Sequence, residues 1–294
     1  MIDAQLPEDG FGAESRRLLH GRGGCFPGLG HVVVDWFAPV LLVTFFAEEE
    51  VNESVLEAVG RSAERMGEVE AVVVQDRFEP RAPKRVVWGE LPEEVFALES
   101  GMRFVLNLER NQNHGFFLDM RPGRDWVRAN AGGKRVLNLF AYTCSLSVAA
   151  IAGGAESVVN LDMAGGALAT GRENQRLNFD AETCRRVRYL AHDLFKSWGK
   201  LQRGGPYDLV VIDPPSNQAG SFVAEKDYAR IVRRLAGLTH EESRVLACLN
   251  SPYLGEEFLV DLFAEFRWEG RLESAPGFED VDREAALKCL VFGR

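Results

Sequence analysis

The sequence lacks the features that would place it in a membrane, in a secreted class or around a structural metal. No apolar run among its 294 residues reaches the roughly 18 residues that a transmembrane helix needs. The acidic start MIDAQLPEDGFGAES is unlike a signal peptide. Five scattered cysteines form no CxxC pair and have no histidine cluster beside them, which argues against disulfides and structural zinc. We expect a cytoplasmic protein with reduced thiols, no membrane association and no metal.

Positive charge is also in short supply, because 34 Lys and Arg residues stand against 44 Asp and Glu residues and leave a net charge of −10. Tight non-specific binding to nucleic acid needs cations at phosphates, so this balance argues against such a binder. It does not exclude a local basic patch. The stretch RFEPRAPKR, residues 77–85, holds four basic residues and one acid, and its simplest interpretation is a solvated loop or hairpin tip.

The first third of the chain has the texture of short strands and hairpins. From Arg16 onward, apolar β-branched runs alternate with Gly and Pro breaks. One helix is predicted in VNESVLEAVGRSAERMG, where Val51, Val55, Leu56 and Val59 form an apolar stripe. We predict a small α+β module over residues 1–100, on the substrate side of the protein.

Over residues 101–294 strands alternate with helices, which predicts an α/β domain with a mostly parallel sheet and helices on both faces. Its strands are near-continuous apolar runs such as KRVLNLFA and YDLVVI, typical of strands buried on both sides. The closing LKCLVFGR is predicted to be an antiparallel edge strand. Ligands of such sheets bind beyond the carboxyl ends of the strands, so the candidate site residues follow the strands.

Two acids at these strand ends suit a nucleoside cofactor. Asp162, after the second strand, can accept ribose hydroxyls, and Asp193, after the third, can receive an adenine amino group. NAD and S-adenosylmethionine (SAM) both fit this arrangement. NAD-binding domains need a G-x-G-x-x-G turn against the pyrophosphate, whereas the first turn here is NLFAYTCSLS, without glycine. SAM has no phosphate, so this turn favours SAM.

The run Asp213-Pro214-Pro215-Ser216 follows the buried strand YDLVVI. The two prolines stiffen the backbone and hold its carbonyls in place. A carboxylate and a fixed carbonyl can together orient a planar base amine toward a sulfonium methyl, and positioning supplies much of such catalysis. A strand ended by a proline turn explains the tetrapeptide equally well on its own, but together with the other strand ends it favours methyl transfer.

At this point the sequence resembles the SAM-dependent methyltransferases related to ribosomal RNA large subunit methyltransferases I and K. Four motifs carry the resemblance in order: LLHGRGGCFPGLGHVVVDWF, HGFFLDMRPGR, NLFAYT and IDPPS. The resemblance implies a class I, Rossmann-like methyltransferase fold that takes SAM and releases S-adenosylhomocysteine (SAH). Family members with an RNA-binding PUA-type domain carry it at the N-terminus, and we expect none here.

The resemblance also implies site residues, to which we add neighbours of the strand ends. The expected SAM pocket lies at the strand ends and in the element before the first strand, and comprises Phe117, Asp119, Arg121, Asn138, Phe140, Ala141, Tyr142, Asp162, Met163, Asp193, Leu194 and Asp213. Asp213, Pro214 and Pro215 match the catalytic loop, with Ser216 and Asn250 on the substrate side. The sequence departs from the family where Cys144 replaces a glycine and where Ser216-Asn217 replaces Thr/Lys-Phe.

The methylated atom depends on a cysteine. Methylation of cytosine at carbon 5 requires a nucleophilic thiol, and cytosine-methylating relatives place it in a Ser-Cys-Ser at the end of the fifth strand. Here that stretch is Leu249-Asn250-Ser251, and guanine-methylating relatives also have Asn at this position. Cys248 lies two residues before Asn250, and core packing is its expected role.

The leading hypothesis is a SAM-dependent enzyme that methylates a base nitrogen of RNA, with ribosomal RNA and guanine favoured, acting as a monomer or homodimer. SAM-dependent methylation of a small molecule or protein is one alternative. A non-catalytic RNA-binding factor that retains the fold is another. The sequence does not specify which RNA or nucleotide is the substrate.

Overall fold

The computed structural model describes residues 10–110, 112–215, 217–218 and 222–294. They fall into two compact units: the chain up to Leu118 with Ala275–Asp282, and Asp119–Ser274 with Arg283–Arg294. The boundary predicted at residues 100 and 101 falls inside the first unit. Ser100 and Gly101, with φ of 51° and 77°, form the turn of a hairpin whose strands pair Glu99 with Met102, as two-residue turns with positive φ do. The division into a substrate-side module and a catalytic domain stays a prediction.

The first unit contains a five-stranded sheet, a helix and a separate hairpin. Its elements are β1 Arg16–His20, a 3-10 turn Gly21–Gly23, β2 Val32–Phe37, β3 Val40–Phe45, α1 Val51–Met66, β4 Ala71–Asp76, β5 Lys84–Gly89, β6 Val95–Glu99 and β7 Met102–Leu106. The sheet runs β1-β2-β3-β4-β5, with β6 and β7 paired by themselves. Only β3 and β4 are parallel within this sheet, as their connection through α1 requires.

The stripe predicted on α1 packs against this sheet. Val55 and Val59 are fully buried, and Val51 and Leu56 pack partly buried against the same core. The helix ends at Gly67, whose φ of 62° suits the left-handed conformation that closes many helices. The core of the first unit is therefore the interface of α1 with β2, β3 and β4.

The second unit is a doubly wound α/β domain. Its elements are a 3-10 turn Leu118–Met120 that leads into it, α2 Arg121–Asn130, β8 Arg135–Leu139, α3 Ser145–Ala152, β9 Ser157–Asp162, α4 Gly165–Asn178, α5 Ala181–Cys184, β10 Val187–Ala191, a 3-10 turn Leu194–Lys196, α6 Trp198–Gly204, β11 Tyr207–Ile212, β12 Asn217–Gln218, β13 Phe222–Val223, α7 Ala224–Leu235, β14 Thr239–Leu249, α8 Glu256–Leu262, β15 Arg267–Arg271 and β16 Lys288–Gly293. The seven-stranded sheet runs β10-β9-β8-β11-β14-β16-β15. Its first five strands are parallel, which confirms the predicted fold class.

The closing strand β16 is antiparallel, as predicted, but it does not form the edge. It lies between β14 and β15 and pairs antiparallel with both. The sequence prediction was wrong on this point because β15, RWEGR, is polar and exposed, as edge strands are, and so gave no strand signal.

No helix in the described ranges combines the length and apolar character needed to span a membrane.

Candidate active site at the sheet switch point

The order of the parallel strands reverses between β8 and β11, and such a reversal opens a crevice at the carboxyl ends. Pairing places Leu190, Leu161, Leu139, Ile212 and Ala247 in one row across the five parallel strands. The predicted strand-end residues follow this row directly. The register of the sheet therefore brings the ends of β8, β9, β10 and β11 together. Ala247 of β14 is level with them, and β14 continues for two more residues to Leu249.

The turn after β8 is strained and tightly held. Phe140, Tyr142 and Cys144 all have positive φ, at 58°, 46° and 62°, a conformation that costs non-glycine residues free energy and that concentrates at functional sites. Backbone bonds fix it: the Ala141 N–H donates to Leu161 at 3.1 Å, and the Cys144 N–H to Ala141 at 2.7 Å. The turn thus presents backbone groups at the crevice in one defined conformation.

Cys144 stands where the family resemblance implies a glycine, and the structure shows how it is accommodated. Its side chain is completely buried beside Ala141 and Leu168. A Cβ added at Gly171 on α4 would lie 2.5 Å from the Cys144 Sγ, closer than packed atoms approach. The missing side chain of Gly171 therefore makes room for the thiol. Burial raises the pKa of Cys144 above the usual thiol value, so the residue is a packing group.

Asp162 holds the turn from the end of β9. Its Oδ2 accepts a hydrogen bond from the Tyr142 N–H at 2.8 Å, and its Oδ1 accepts one from the Ala164 N–H at 2.8 Å. A carboxylate has about four acceptor positions, so two hydroxyls can still bind to a side chain that is already oriented. This geometry fits the ribose of a nucleoside cofactor. The neighbouring Met163 is 60% exposed.

Asp193 is committed in part to its own turn. Its Oδ1 accepts from the Phe195 N–H at 2.9 Å, and its Oδ2 pairs with Lys196 at 3.3 Å. The side chain of Leu194 is buried in the core, which leaves its backbone as the part that can face a ligand. Asp193 is half-buried, and its predicted contact with adenine is not tested by these bonds.

Asn138 lies inside the sheet. It is 1% exposed, and its Nδ2 donates to Asn160 Oδ1 at 2.9 Å. Asn160 in turn donates to Ser147 Oγ at 3.0 Å. This chain links β8, β9 and α3, so Asn138 supports the turn that follows it. Its assignment to the cofactor stays a prediction.

Asp213 lies at the end of β11, half-buried, with its N–H directed to Leu139 at 3.5 Å. Burial and the nearby carboxylate of Asp119 raise the pKa of Asp213 to about 7, against the opposing effect of the Arg124 guanidinium. Pro214 is buried and Pro215 half-buried. Ser216 lies outside the described residues. A carboxyl group with such a pKa can both accept and release a proton near neutrality.

Sequence reasoning missed two residues that support Asp213. Arg124 on α2 is 2% exposed, and its positive charge lowers the pKa of Asp213. The Tyr228 hydroxyl on α7 contacts the Ile212 carbonyl at 3.3 Å and donates to Cys248 at 2.9 Å, which ties the ends of β11 and β14 together. Arg124 is in the quoted motif HGFFLDMRPGR, and Tyr228 shares an apolar helical stripe with Ile231 and Leu235, so both had a signal.

The remaining predicted residues lie before the first strand of this sheet or beyond the end of β14. Asp119 is half-buried in the turn before α2, and Arg121 lies 3.9 Å from Asp125. Phe117 belongs to the first unit and is 45% exposed. Asn250 is exposed beyond the end of β14. Within the described part of the chain, no group of three or more His, Cys, Asp or Glu residues is placed to hold a metal ion.

Comparisons with known proteins identify the relatives of this chain. A family model described as S-adenosylmethionine-dependent methyltransferase matches residues 16–293. A ribosomal RNA large subunit methyltransferase of Deinococcus radiodurans is 33% identical over 289 residues, covering 90% of this chain and 67% of that protein. Ribosomal RNA large subunit methyltransferase I of Aeromonas hydrophila is 37% identical over 134 residues, covering 44% of this chain but only 33% of that protein.

Solved structures show the same fold. The crystal structure of a methyltransferase complexed with SAH superposes with a TM-score of 0.84 at 24% identity, covering 96% of this chain and 76% of that one. The tRNA m1G37 methyltransferase of M. jannaschii has a TM-score of 0.62 at 13% identity, covering 90% of this chain and 76% of that one. At these identities the likeness concerns the fold alone.

Proposed function

The chain belongs to the S-adenosylmethionine-dependent methyltransferase family, and from that premise we propose that it methylates a base nitrogen of ribosomal RNA, with guanine favoured. The observation that carries the proposal is Asp213, a carboxyl group with a pKa of about 7 followed by two prolines at the switch point. The similarity to ribosomal RNA methyltransferases supports RNA as the substrate class.

Residues at the neighbouring strand ends would hold the cofactor. SAM, when bound, supplies a methyl group already activated on a positively charged sulfur. Asp162 would accept the ribose hydroxyls, and the strained turn at Phe140, Ala141 and Tyr142 would line the methionine side. Asp193, Leu194 and Met163 would lie on the adenine side. Since every one of these contacts precedes the reaction, their contribution is to binding and alignment.

Asp213 and the carbonyl of Pro214 would receive the target base. A base amine has two N–H donors, and these two acceptors would fix its plane so that the nitrogen lone pair faces the methyl group. The carbon–nitrogen bond forms as the carbon–sulfur bond breaks, and the nitrogen then loses a proton. Because the pKa of Asp213 lies near 7, its carboxylate is a suitable acceptor for that proton.

The environment of Cys248 supports nitrogen over carbon 5 of cytosine. Cys248 is completely buried, and its Sγ lies 3.7 Å from the Cys289 Sγ. The hydrogen bond to Cys289 and burial raise the pKa of Cys248 well above its usual value, so no thiolate forms at neutral pH. Asn250 occupies the exposed position at the strand end.

The experiment that tests the proposal is methyl transfer from radiolabelled SAM to ribosomal RNA, followed by mass mapping of the nucleosides. A methylated guanine that depends on Asp213 is the expected result. Product formation on a small molecule or protein in place of RNA, with SAH binding intact, would instead support another substrate class for the same site. SAH binding without methylation of any of these would support a non-catalytic protein.

A further inference from the structure

One edge of the five-stranded sheet in the first unit collects basic side chains. Phe46 and Arg77 follow the parallel strands β3 and β4, which end level with each other where Phe45 pairs with Asp76. Arg22 lies in the turn after β1, whose last residue His20 pairs with Val33 at the same end of the sheet. Lys84 opens β5 opposite Gln75. We call Arg22, Phe46, Arg77 and Lys84 the basic edge.

Two guanidinium groups in the basic edge share one aromatic ring. The Cζ of Arg22 lies 4.1 Å from the centre of the Phe46 ring, and that of Arg77 lies 5.5 Å from it. Such stacking holds arginine side chains in place and does not use their N–H donors. Phe46 therefore brings two forks of donors together at one point on the surface.

No carboxylate in the described part of the chain forms an ion pair with either of these two arginines, although Asp280 lies near enough to favour the charged form of Arg22. Burial and the charge of Arg17 lower the pKa of Arg22, and burial and Arg22 lower that of Arg77. Two cations that repel each other in a partly desolvated place are stabilised when an anion binds between them.

Three other cations near this edge already have partners. Arg17 makes a bidentate pair with Asp35 at 2.7 and 3.0 Å, and Arg85 pairs with Asp76 at 3.4 Å. Lys84 donates to the carbonyls of Asn107 and Arg110 at 2.9 and 3.1 Å. Unlike these three cations, Arg22 and Arg77 are available to a ligand, and the Phe46 ring holds the two close together.

We propose that the basic edge binds a phosphodiester group of RNA through Arg22 and Arg77. The inference rests on the proposed function, since it takes RNA as the substrate. A phosphodiester fits because its charged oxygens can accept from two guanidinium forks at once, whereas an isolated surface carboxylate is satisfied by one. It also gives a role to RFEPRAPKR, to which Arg77 belongs, despite the net charge of −10.

The test measures binding of ribosomal RNA fragments at several salt concentrations by the full chain and by Arg22→Ala/Arg77→Ala. Each lost phosphate contact lowers the slope of log affinity against log salt by about 0.7–0.9. We expect the double variant to bind RNA at least about tenfold more weakly, with a slope smaller in magnitude by about 1. Its affinity for SAH should be unchanged.

The matched control is Arg61→Ala/Arg65→Ala, which removes the same charge from the last turns of α1 in the same unit. This control should keep the affinity and the salt slope of the wild type. A second variant, Arg22→Lys/Arg77→Lys, keeps the charge but loses the planar forks, and we expect it to bind more weakly than the wild type.

Equal losses in the alanine double variant and the control would overturn the inference, because charge alone would then explain binding. Undiminished RNA binding by Arg22→Ala/Arg77→Ala would also overturn it. Binding to polyglutamate, a probe for acidic protein, is measured in parallel. A variant that loses binding to polyglutamate but not to RNA would show that the basic edge binds acidic protein instead. The proposed function fails separately, if the wild type methylates no RNA. In that case a loss of RNA binding confined to the alanine double variant would still support the basic edge.

Discussion

Each unit carries a set of charged side chains at one edge of its main sheet, and the two sets have opposite character. At the switch point of the second unit, Asp162 is an acid held by two backbone N–H groups, and Asp213 is an acid whose pKa is raised by burial. At the basic edge of the first unit, Arg22 and Arg77 are cations held by an aromatic ring. The net charge of −10 describes neither edge, so partners are better inferred from local charge than from the total.

The two edges also differ in how they are held. The carboxylate of Asp162 accepts two backbone N–H bonds, which fix its position before any ligand arrives. The arginines of the first unit are stacked but lack ion-pair partners among the described residues, which suits binding of a polyanion without demanding exact geometry. The comparison therefore predicts that substitutions at the acids affect catalysis or cofactor binding, whereas substitutions at the arginines affect the affinity for RNA.

The largest effect is expected at Asp213. Asp213→Ala should lower methyl transfer by about 10²-fold or more, the range for removing a proton acceptor, while SAH binding measured by calorimetry stays near the wild-type value. Asp213→Asn, which keeps the shape, should lose nearly as much. If Asp213→Asn retained most of its activity, the carboxylate would not be the acceptor and the contrast between the edges would weaken.

The pH dependence of Asp213 sharpens the same point. With its pKa raised to about 7, the carboxylate forms as pH rises through that value, so activity should rise between pH 6 and about 8. The sign for stability is opposite: a folded pKa above the unfolded one favours the folded state at low pH, and this contribution is lost as pH rises through about 7. Asp213→Asn should therefore raise the Tm relative to wild type at pH 8 but not at pH 4.

A smaller effect is expected at Asp162. Asp162→Ala removes two backbone bonds and the proposed ribose contact, and should weaken SAM binding by about 1.5–3 kcal/mol, or about 10- to 100-fold. Asp180→Ala is a matched control, because Asp180 accepts from the Thr183 N–H at 2.7 Å at the start of α5 and has no proposed ligand. Equal SAH affinity in both variants would remove the assignment of Asp162.

Much of this arrangement followed from sequence pattern, and the exceptions have physical reasons. Apolar runs located the four inner parallel strands β8, β9, β11 and β14, since a strand buried on both faces must be apolar. The pattern gave no sign of β15, whose burial is slight. It also could not reveal that the Asn138 amide donates to Asn160 inside the sheet, because side-chain pairing across strands depends on register. The packing of Cys144 against Gly171 likewise depends on where α4 lies in the fold, which the pattern does not specify.

Gly171 provides a test of packing around the strained turn. Gly171→Ala would place a methyl group 2.5 Å from the Cys144 Sγ, and such overpacking should cost about 1–3 kcal/mol of unfolding free energy. The double variant Cys144→Gly/Gly171→Ala should recover most of that loss, because it removes the sulfur and suits the φ of 62° at this position. Additive losses in denaturant unfolding would show that the two residues do not share this space.

The smallest effect on activity is expected at Cys248. A large effect there would contradict the role given to Asp213. Cys248 is level with the strand ends but packs inward against Cys289, and its raised pKa leaves no thiolate for attack on carbon 6 of a cytosine. Cys248→Ala should therefore retain nearly full methyl transfer and lose about 1 kcal/mol of stability, as for removal of one buried heavy atom. Asn250→Ala, at the exposed strand end, should affect turnover more. The decisive measurement uses RNA that contains 5-fluorocytosine: a covalent adduct with the wild type that disappears in Cys248→Ala would make the enzyme a cytosine-C5 methyltransferase, with the thiol in place of Asp213 as the group that activates the base.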